Sequence, residues 1–414
     1  MTDILFLSPV GVIGGAERVL LQILRSQCRL RPADRIGLLL PCEGPLLQAA
    51  IDLGVRVKVV PWSNRIASLG DTGSGSSSLA SRVKQLEAMS MSVPDVAVSL
   101  FAWRQAVAEF SPRLIYSNGL KTHLVSSILS RKGRPVIWHL HDFYSHRRIA
   151  RALMRPLSAR VSVGVAISEA VAGDTRQAMP RLPVKTILNG VCTQKFAPTD
   201  SPPLDLDNLA GLTRLKDVIR VGLLATYGIW KGQDVFLKAA AAVVEKSPDT
   251  LVRFYIIGGP IYGTAAQWTR LELEQQVRQL TTENNALGSR VGFVDFQADT
   301  APIYQSLDIV IHASTKPEPF GLTIAEAMSC GKAVIYSNAG GACEIAENGS
   351  SGIGTSPGCV PELASAMTML LADSSIRKKL GTAARQRILQ RFDESRFNQQ
   401  MAELIDEKLQ SSGR

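Results

Sequence analysis

The stretch VIRVGLLATYGIWKGQDVFLKAAAAVVEKSPDTLVRFYII, Val218–Ile257, sets the architecture. Val218–Leu224 and Val252–Ile257 are near-continuous apolar runs, as expected of strands buried on both faces. Between them, Asp234–Lys246 reads as a helix. Strand, helix and strand in that order make the crossover unit of a parallel sheet. Further on come a helix over Trp268–Thr282 and strands at Arg290–Val294, Ile309–His312 and Ala333–Tyr336. The same rhythm fills the first half. Strands are expected at Ile4–Pro9, Ile36–Leu40, Val55–Val60, Leu114–Tyr116, Val136–Leu140 and Val163–Ile167, with helices such as Ala16–Gln27 and Leu46–Leu53 between them. The fold class is α/β, with two doubly wound, Rossmann-like domains of similar size. Pro198–Gly211, with prolines at 198, 202 and 203, reads as the linker. The expected domains are 1–200 and 212–390, with a C-terminal helix, 391–414, packing back on the first. Ser63–Ser81, centred on GDTGSGSSS, is expected to be a mobile surface loop. Ligands of such folds bind beyond the carboxyl ends of the strands, here in a cleft between the domains.

Composition narrows the function. The 414 residues are 45 % hydrophobic and 20 % charged, which excludes whole-chain disorder and fibrous repeats. No stretch approaches the roughly 18 apolar residues of a membrane helix. The N-terminus, with Asp3 and a Gly-Gly ending to its apolar run, lacks the marks of a signal peptide. The six cysteines are widely spaced without a C-x-x-C, so reduced, buried thiols and a cytoplasmic protein are expected. Of the net charge of +10, residues 1–200 carry 25 basic against 13 acidic side chains. Residues 113–160 hold ten basic residues and one acid, Asp142. Such a face suits an anionic partner. No nucleic-acid motif accompanies it, so nucleic acid is not expected as a partner.

Four segments carry candidate chemistry. In SPVGVIGGAERVLLQIL, Ser8–Leu24, a strand ends, Gly14 and Gly15 turn the chain, and a helix begins near Ala16. Glycines admit close backbone approach, and helix-start N–H groups attract phosphate. In EPFGLTIAEAMSCGKAV, Glu318–Val334, two carboxylates stand eight residues apart around a Pro-Phe-Gly turn and a helix start. Glu318 and Glu326 can accept hydrogen bonds from sugar hydroxyls while the helix N–H groups hold an anion. WHLHD, Trp138–Asp142, puts His139 and His141 on one face at a strand end. A metal pair and a hydrogen-bonded structural histidine are both open readings there. Asn118, after another strand, is expected to line the same cleft. SHRRIARALMRPLSAR, Ser145–Arg160, interleaves Arg147, Arg148, Arg151 and Arg155 with Ile149, Leu153 and Met154. That pattern fits an anionic lipid surface, a pyrophosphate-linked acceptor, or a solvated basic face.

Together these motifs resemble the retaining glycosyltransferases of family four, which have the GT-B fold and a Glu-x7-Glu motif. NGV at Asn189–Val191, WKGQDVFLKAA at Trp230–Ala240, IGG at Ile257–Gly259, SLDIVIHAS at Ser306–Ser314 and GGACEI at Gly340–Ile345 extend the resemblance over nearly the whole chain. It implies that Glu318 contacts the donor sugar and that Phe320, Gly321 and Leu322 offer it backbone N–H groups. It implies that Glu326 binds the ribose, that Lys231 neutralises the diphosphate, and that Gly14 and Gly15 lie beside the phosphates. Arg290 and Phe293 fall where the family reads the base. His141 is the first choice for the histidine near the reacting sugar, and His139, with Asn118, is placed on the acceptor side. Two positions depart from the family pattern. Thr226 stands where an arginine is usual, and Cys192 replaces the aspartate of NGVD.

The implied activity is transfer of a sugar, with retention, from a nucleotide-sugar to a hydroxyl acceptor. Glu318, His141 and Lys231 are its expected catalytic residues, and neither a cofactor nor a divalent metal is expected. The acceptor is expected to be lipid-linked or a saccharide, in polysaccharide or glycolipid synthesis, with an anionic membrane surface as a further partner. An epimerase or sucrose-type synthase, or a non-catalytic sugar-nucleotide-binding subunit on the same fold, are the rivals. A nicotinamide dehydrogenase is excluded by the lack of G-x-G-x-x-G.

Overall fold

The computed structural model describes residues 2–63, 93–201, 203–260, 267–282 and 286–411. Apart from Ser63, the segment expected to be a surface loop lies outside them. The chain divides into two compact units, residues 1–188 with 397–414, and residues 189–396.

In the first unit the strands are β1 (Ile4–Leu7), β2 (Ile36–Leu40), β3 (Arg56–Val59), β4 (Leu114–Ser117), β5 (Val136–Leu140), β6 (Val163–Ala166) and β7 (Val184–Thr186). They form a parallel sheet in the order β3-β2-β1-β4-β5-β6-β7. Every residue of β1, β2, β4, β5 and β6 is buried, which is why they read as unbroken apolar runs. Helices Gly15–Leu30, Leu120–Ile128 and Glu169–Ala178 are among the crossovers. The last is capped by Ser168, whose hydroxyl accepts the N–H of Val171 at 3.1 Å.

The second unit repeats the scheme. Its strands are β8 (Ile219–Leu224), β9 (Val252–Ile257), β10 (Val291–Val294), β11 (Ile309–His312), β12 (Ala333–Ser337) and β13 (Ile353–Thr355). They are parallel and ordered β10-β9-β8-β11-β12-β13. The helix Gln233–Lys246 buries Val235, Phe236, Leu237, Ala239, Ala240 and Val243 against this sheet's core.

The division falls earlier than the expected boundary at residue 200. The N–H of Val191 donates to the carbonyl of Phe392 at 2.8 Å, and Ser329 and Arg385 both donate to the carbonyl of Phe196. These bonds tie the segment after Leu188 to the second unit. The second half of the expected linker is likewise anchored in the second unit. Leu206–Leu209 is a short helix, and Asp207 is fully buried, accepting from the Tyr255 hydroxyl at 2.8 Å beside Arg253. The C-terminal helix Glu394–Ser411 enters the first unit from Phe397 on, where Phe397, Met401, Leu404, Ile405 and Leu409 are buried. All six cysteines are free, but only Cys330 is buried; Cys42 and Cys343 are exposed.

Candidate active site

In the second unit, three loops converge beyond the carboxyl ends of β8, β9 and β11. Glycines make each approach possible. Gly258 has φ +143°, and a Cβ there would overlap the carbonyl oxygen of Ala225. Gly232 has φ +74°, and its Cβ would strike the carbonyl oxygen of Ala313. The turn before Gly232 is tied to the loop after β11, since the N–H of Thr315 donates to the carbonyl of Trp230 at 2.8 Å. This staple delivers Lys231 to Glu318. Glu318 is itself pinned by the GGACEI segment, whose Gly341 N–H donates to the Glu318 carbonyl at 2.7 Å.

The Lys231 ammonium donates to both carboxylate oxygens of Glu318, at 3.0 and 2.9 Å, and lies 3.9 Å from the centre of the Trp230 ring. Two more donors meet Oε2 of Glu318: Nε2 of His312 at 3.2 Å and the hydroxyl of Ser314 at 3.1 Å. Burial pushes the Glu318 carboxyl up, but the Lys231 charge and the His312 hydrogen bond outweigh it. They hold the group well below the usual carboxylate range. His312 and Ser314 escaped the sequence reading. Their signal was their position, at and just past the end of a strand and six and four residues before Glu318.

Phe320 is buried against Phe392, and Gly321, with φ +114°, caps the helix Leu322–Ser329. Glu326 projects from that helix and is buried, its carboxylate accepting from the Thr300 hydroxyl at 3.4 Å. Phe293 is buried near the carboxyl end of β10 under the Arg270 guanidinium. Arg290 does not join this group. It precedes β10, and its guanidinium donates to the carbonyls of Thr250 and Pro248, ahead of β9. It therefore lies at the amino ends of the strands, opposite Lys231 and Glu318. There it lines a depression of about 540 Å³ with Gly211, Thr213, Thr250 and Arg253. Thr226, in place of the family's arginine, contributes a carbonyl to Gln233 and no charge.

In the first unit, Gly14 and Gly15 open the helix after β1. The Gly14 N–H donates to Oε2 of Glu17 at 3.1 Å. Asn118 follows β4; its Nδ2 donates to the carbonyl of Ala16 at 3.3 Å and its Oδ1 faces Nε2 of His141 at 2.9 Å. The turn after β1 and the strand ends of β4 and β5 thus share one network. Burial pushes the His141 imidazole down to about 3, so it is neutral. His139 is fully buried, its ring 4.1 Å from that of His141. At zero exposure, the His139 ring itself presents no atom at the surface. The strand alternation aimed both histidines to one side, but β5 ends at Leu140, so only His141 emerges. Among the described residues no group of His, Cys, Asp and Glu is arranged to hold a metal.

Comparison with known proteins supplies the family. Residues 216–373 match the model of the group 1 glycosyl transferases, and residues 13–195 match that of Glycosyltransferase Family 4. The crystal structure of Anabaena HepE in complex with UDP and glucose is 30 % identical. It superposes with a TM-score of 0.77, covering 98 % of this chain and all of that one. The D-inositol 3-phosphate glycosyltransferase of Corynebacterium diphtheriae is 30 % identical over 157 residues, 37 % of this chain and 35 % of its own. Spore coat protein SA of Bacillus subtilis is 26 % identical over 255 residues, 59 % of this chain and 65 % of its own. The chain thus spans about a third to two thirds of the length of these curated relatives.

The two parallel-sheet domains are those of a GT-B protein. The chain belongs to the family-four glycosyltransferases.

Proposed function

We propose that this protein is a retaining, metal-independent glycosyltransferase that moves a sugar from a nucleotide-sugar to a hydroxyl of a lipid-linked or saccharide acceptor. The observation that carries the reading is the Lys231–Glu318 pair, set by three glycine-dependent loops at the carboxyl ends of the strands. A lysine suits the diphosphate of the donor as a point charge, and the amide end of helix Leu322–Ser329 adds partial positive charge. Glu318 accepts hydroxyls of the sugar and Glu326 those of the ribose. The likeness to HepE supports a UDP-hexose as donor class. In the transfer, the bond from the anomeric carbon to the diphosphate oxygen breaks and the bond to the acceptor oxygen forms on the same face. The acceptor proton passes to the departing phosphate, so no protein nucleophile is required.

Incubation of the purified protein with a panel of nucleotide-sugars tests the reading. Slow hydrolysis of one donor, with the α or β configuration kept in the released sugar and no loss in EDTA, supports it. Inversion of that configuration, or activity restored only by Mn²⁺ or Mg²⁺, overturns the retaining and metal-independent parts. Binding of the nucleotide-sugar without turnover points to the non-catalytic subunit, the reading favoured by Thr226.

The site of action proposed is an anionic membrane surface, where polysaccharide and glycolipid acceptors are made. Among the described residues no helix is long and apolar enough to cross a membrane. The helix Arg148–Leu157 buries only Met154 and exposes Ile149 and Leu153 between Arg148 and Arg155. That face combines the charge and the apolar side chains that interfacial helices use.

A further inference from the structure

We infer that His312 and Ser314 are positioning residues that hold Oε2 of Glu318, so that Oε1 is the oxygen presented to the donor sugar. The inference rests on the proposed assignment of Glu318 to that sugar.

The two oxygens of the carboxylate are unequally engaged. Oε2 meets Lys231, His312 and Ser314, at 2.9, 3.2 and 3.1 Å. Among the described residues, Oε1 meets Lys231 alone, at 3.0 Å. A carboxylate has about four lone-pair sites between its oxygens and accepts only. Three donors therefore fill Oε2, while Oε1 keeps a vacancy. The tautomer follows from the same rule. Nε2 of His312 faces an acceptor, so it carries the proton, and it shares that proton between Glu318 and the Ser314 oxygen 3.1 Å away. The Ser314 hydroxyl is then free to donate its own proton to Oε2.

The anchors sit on a rigid element. His312 is the last residue of β11, paired with Tyr336 on β12, and Ser314 is fully buried. Lys231, by contrast, reaches Glu318 from a separate loop on a long, flexible side chain. A diphosphate arriving beside Lys231 competes for its ammonium, a mobile point charge. When the ammonium turns to the phosphate, Oε1 loses its only partner, whereas Oε2 keeps two. The carboxylate stays oriented and offers a bare, ionised oxygen to a sugar hydroxyl. The diphosphate thereby prepares the contact that fixes the sugar, and His312 and Ser314 keep that contact from swinging away.

The test compares His312→Leu, His312→Gln, Ser314→Ala and Glu318→Gln with wild type. The probes are UDP alone and the nucleotide-sugar that wild type hydrolyses fastest among UDP-glucose, UDP-galactose, UDP-N-acetylglucosamine and GDP-mannose; for a GDP donor, GDP replaces UDP. His312→Leu should lower kcat/KM for donor hydrolysis by about 10- to 100-fold, the range for losing a hydrogen bond that orients a functional ligand. The Kd of the bare nucleotide should stay within about 2-fold, since it lacks the sugar. Gln retains a donor that can reach Oε2, so His312→Gln should recover most of the loss. Ser314→Ala, a small truncation, should show the same pattern more weakly. Unchanged kcat/KM in His312→Leu overturns the inference, as does an equal loss of nucleotide affinity. If His312→Leu does not fold, unchanged kcat/KM in Ser314→Ala overturns it. Glu318→Gln separates the two levels. If it leaves hydrolysis intact, the assignment of Glu318 itself fails; if it alone collapses hydrolysis, only the anchoring fails.

Discussion

Lys231 and Glu318 form a partly buried ion pair in which one ammonium serves both carboxylate oxygens, at 3.0 and 2.9 Å. Their side chains are only 18 % and 12 % exposed, so each charge depends on the other. Removing one partner leaves the second uncompensated in a weakly solvated place.

Lys231→Met should therefore melt earlier than wild type, by an amount on the order of 2 kcal/mol, and the double variant with Glu318→Gln should recover part of it. Transfer should fall by about 100-fold or more in both single variants and should not return in the double one. Thermal melting and kcat/KM, measured on the same samples, check this. A double variant less stable than both singles would contradict the pairing. The pH dependence has a definite sign. The Glu318 carboxyl is held below its ordinary value in the fold, so its stabilisation is present above the ordinary carboxylate range. It is lost as pH falls through the depressed value.

A second prediction concerns His141. Asn118 is oriented by its bond to the Ala16 carbonyl, so its Oδ1 faces His141 and requires the proton on Nε2. Nδ1 is then an acceptor, suited to a sugar or acceptor hydroxyl. Nitrogen-15 NMR of labelled histidine should show His141 neutral, with Nε2 protonated, throughout pH 5–8, because burial pushes it down to about 3. An imidazolium signal at pH 5 would refute this. Asn118→Ala frees the ring to turn and should cost about 10-fold in transfer, within the range for loss of an orienting hydrogen bond.

Much of this was legible in the sequence, for identifiable reasons. Strands buried on both faces left unbroken apolar runs, so all the central strands were legible. The edge strands Val184–Thr186 and Ile353–Thr355 were missed because each is three residues long and only partly buried. The linker was misplaced because proline marks a turn whether or not the turn is packed. Glu318 stood out because a Pro-Phe-Gly turn and a helix start follow it, whereas Lys231 was singled out only through the family resemblance. Arg290 was singled out only through the family resemblance, which says nothing of where its long side chain runs; the guanidinium goes to the carbonyls of Thr250 and Pro248. His312 was passed over because, in an apolar strand, a single histidine gives no sign of the carboxylate it meets.

Glu17 supplies a pH-dependent prediction. Its carboxyl is pushed up to about 7 by burial, with the backbone N–H groups of Glu17 and Gly14 lowering it and Asp142 raising it. A carboxyl raised in the fold binds its proton more tightly than in the unfolded chain. Its contribution to stability is thus fully present below the ordinary value near 4.5 and is lost as pH rises through about 7. Glu17→Gln carries no charge at any pH. Its melting temperature relative to wild type should rise between pH 5 and pH 8, by an amount equivalent to at most about 3 kcal/mol. A difference that does not change with pH would show that Glu17 is already ionised in the fold at pH 5.

The last prediction tests the proposed membrane surface. Of the four arginines singled out in Ser145–Arg160, the structure engages two. Arg147 pairs with Asp142 at 3.2 Å, and Arg151 reaches the Ser145 carbonyl at 3.5 Å. Arg148 and Arg155 remain exposed, a helical repeat of seven apart, beside exposed Ile149 and Leu153. Each basic residue near an anionic bilayer contributes about 1 kcal/mol, so these two together are worth roughly 30-fold in partitioning. A second basic surface offers an internal comparison. Arg131, Lys132, Arg134 and Arg160 surround a depression of about 460 Å³, and among the described residues none of the four forms an ion pair. Liposomes with and without anionic lipid should be sedimented at low and high salt with three proteins. These are wild type, an Arg148→Gln/Ile149→Ser/Leu153→Ser/Arg155→Gln variant, and an Arg131→Gln/Lys132→Gln/Arg134→Gln/Arg160→Gln variant. Wild type should pellet with anionic vesicles and be released by salt, because screening at physiological ionic strength acts beyond about 8 Å. If the helix is the docking face, the first variant should lose binding even at low salt, since it removes apolar as well as charged contacts. The second should then lose far less. The reverse order would move the docking face to the basic depression. Equal pelleting of wild type with neutral and anionic vesicles would remove the membrane role altogether, leaving the proposed donor site of the second unit untouched.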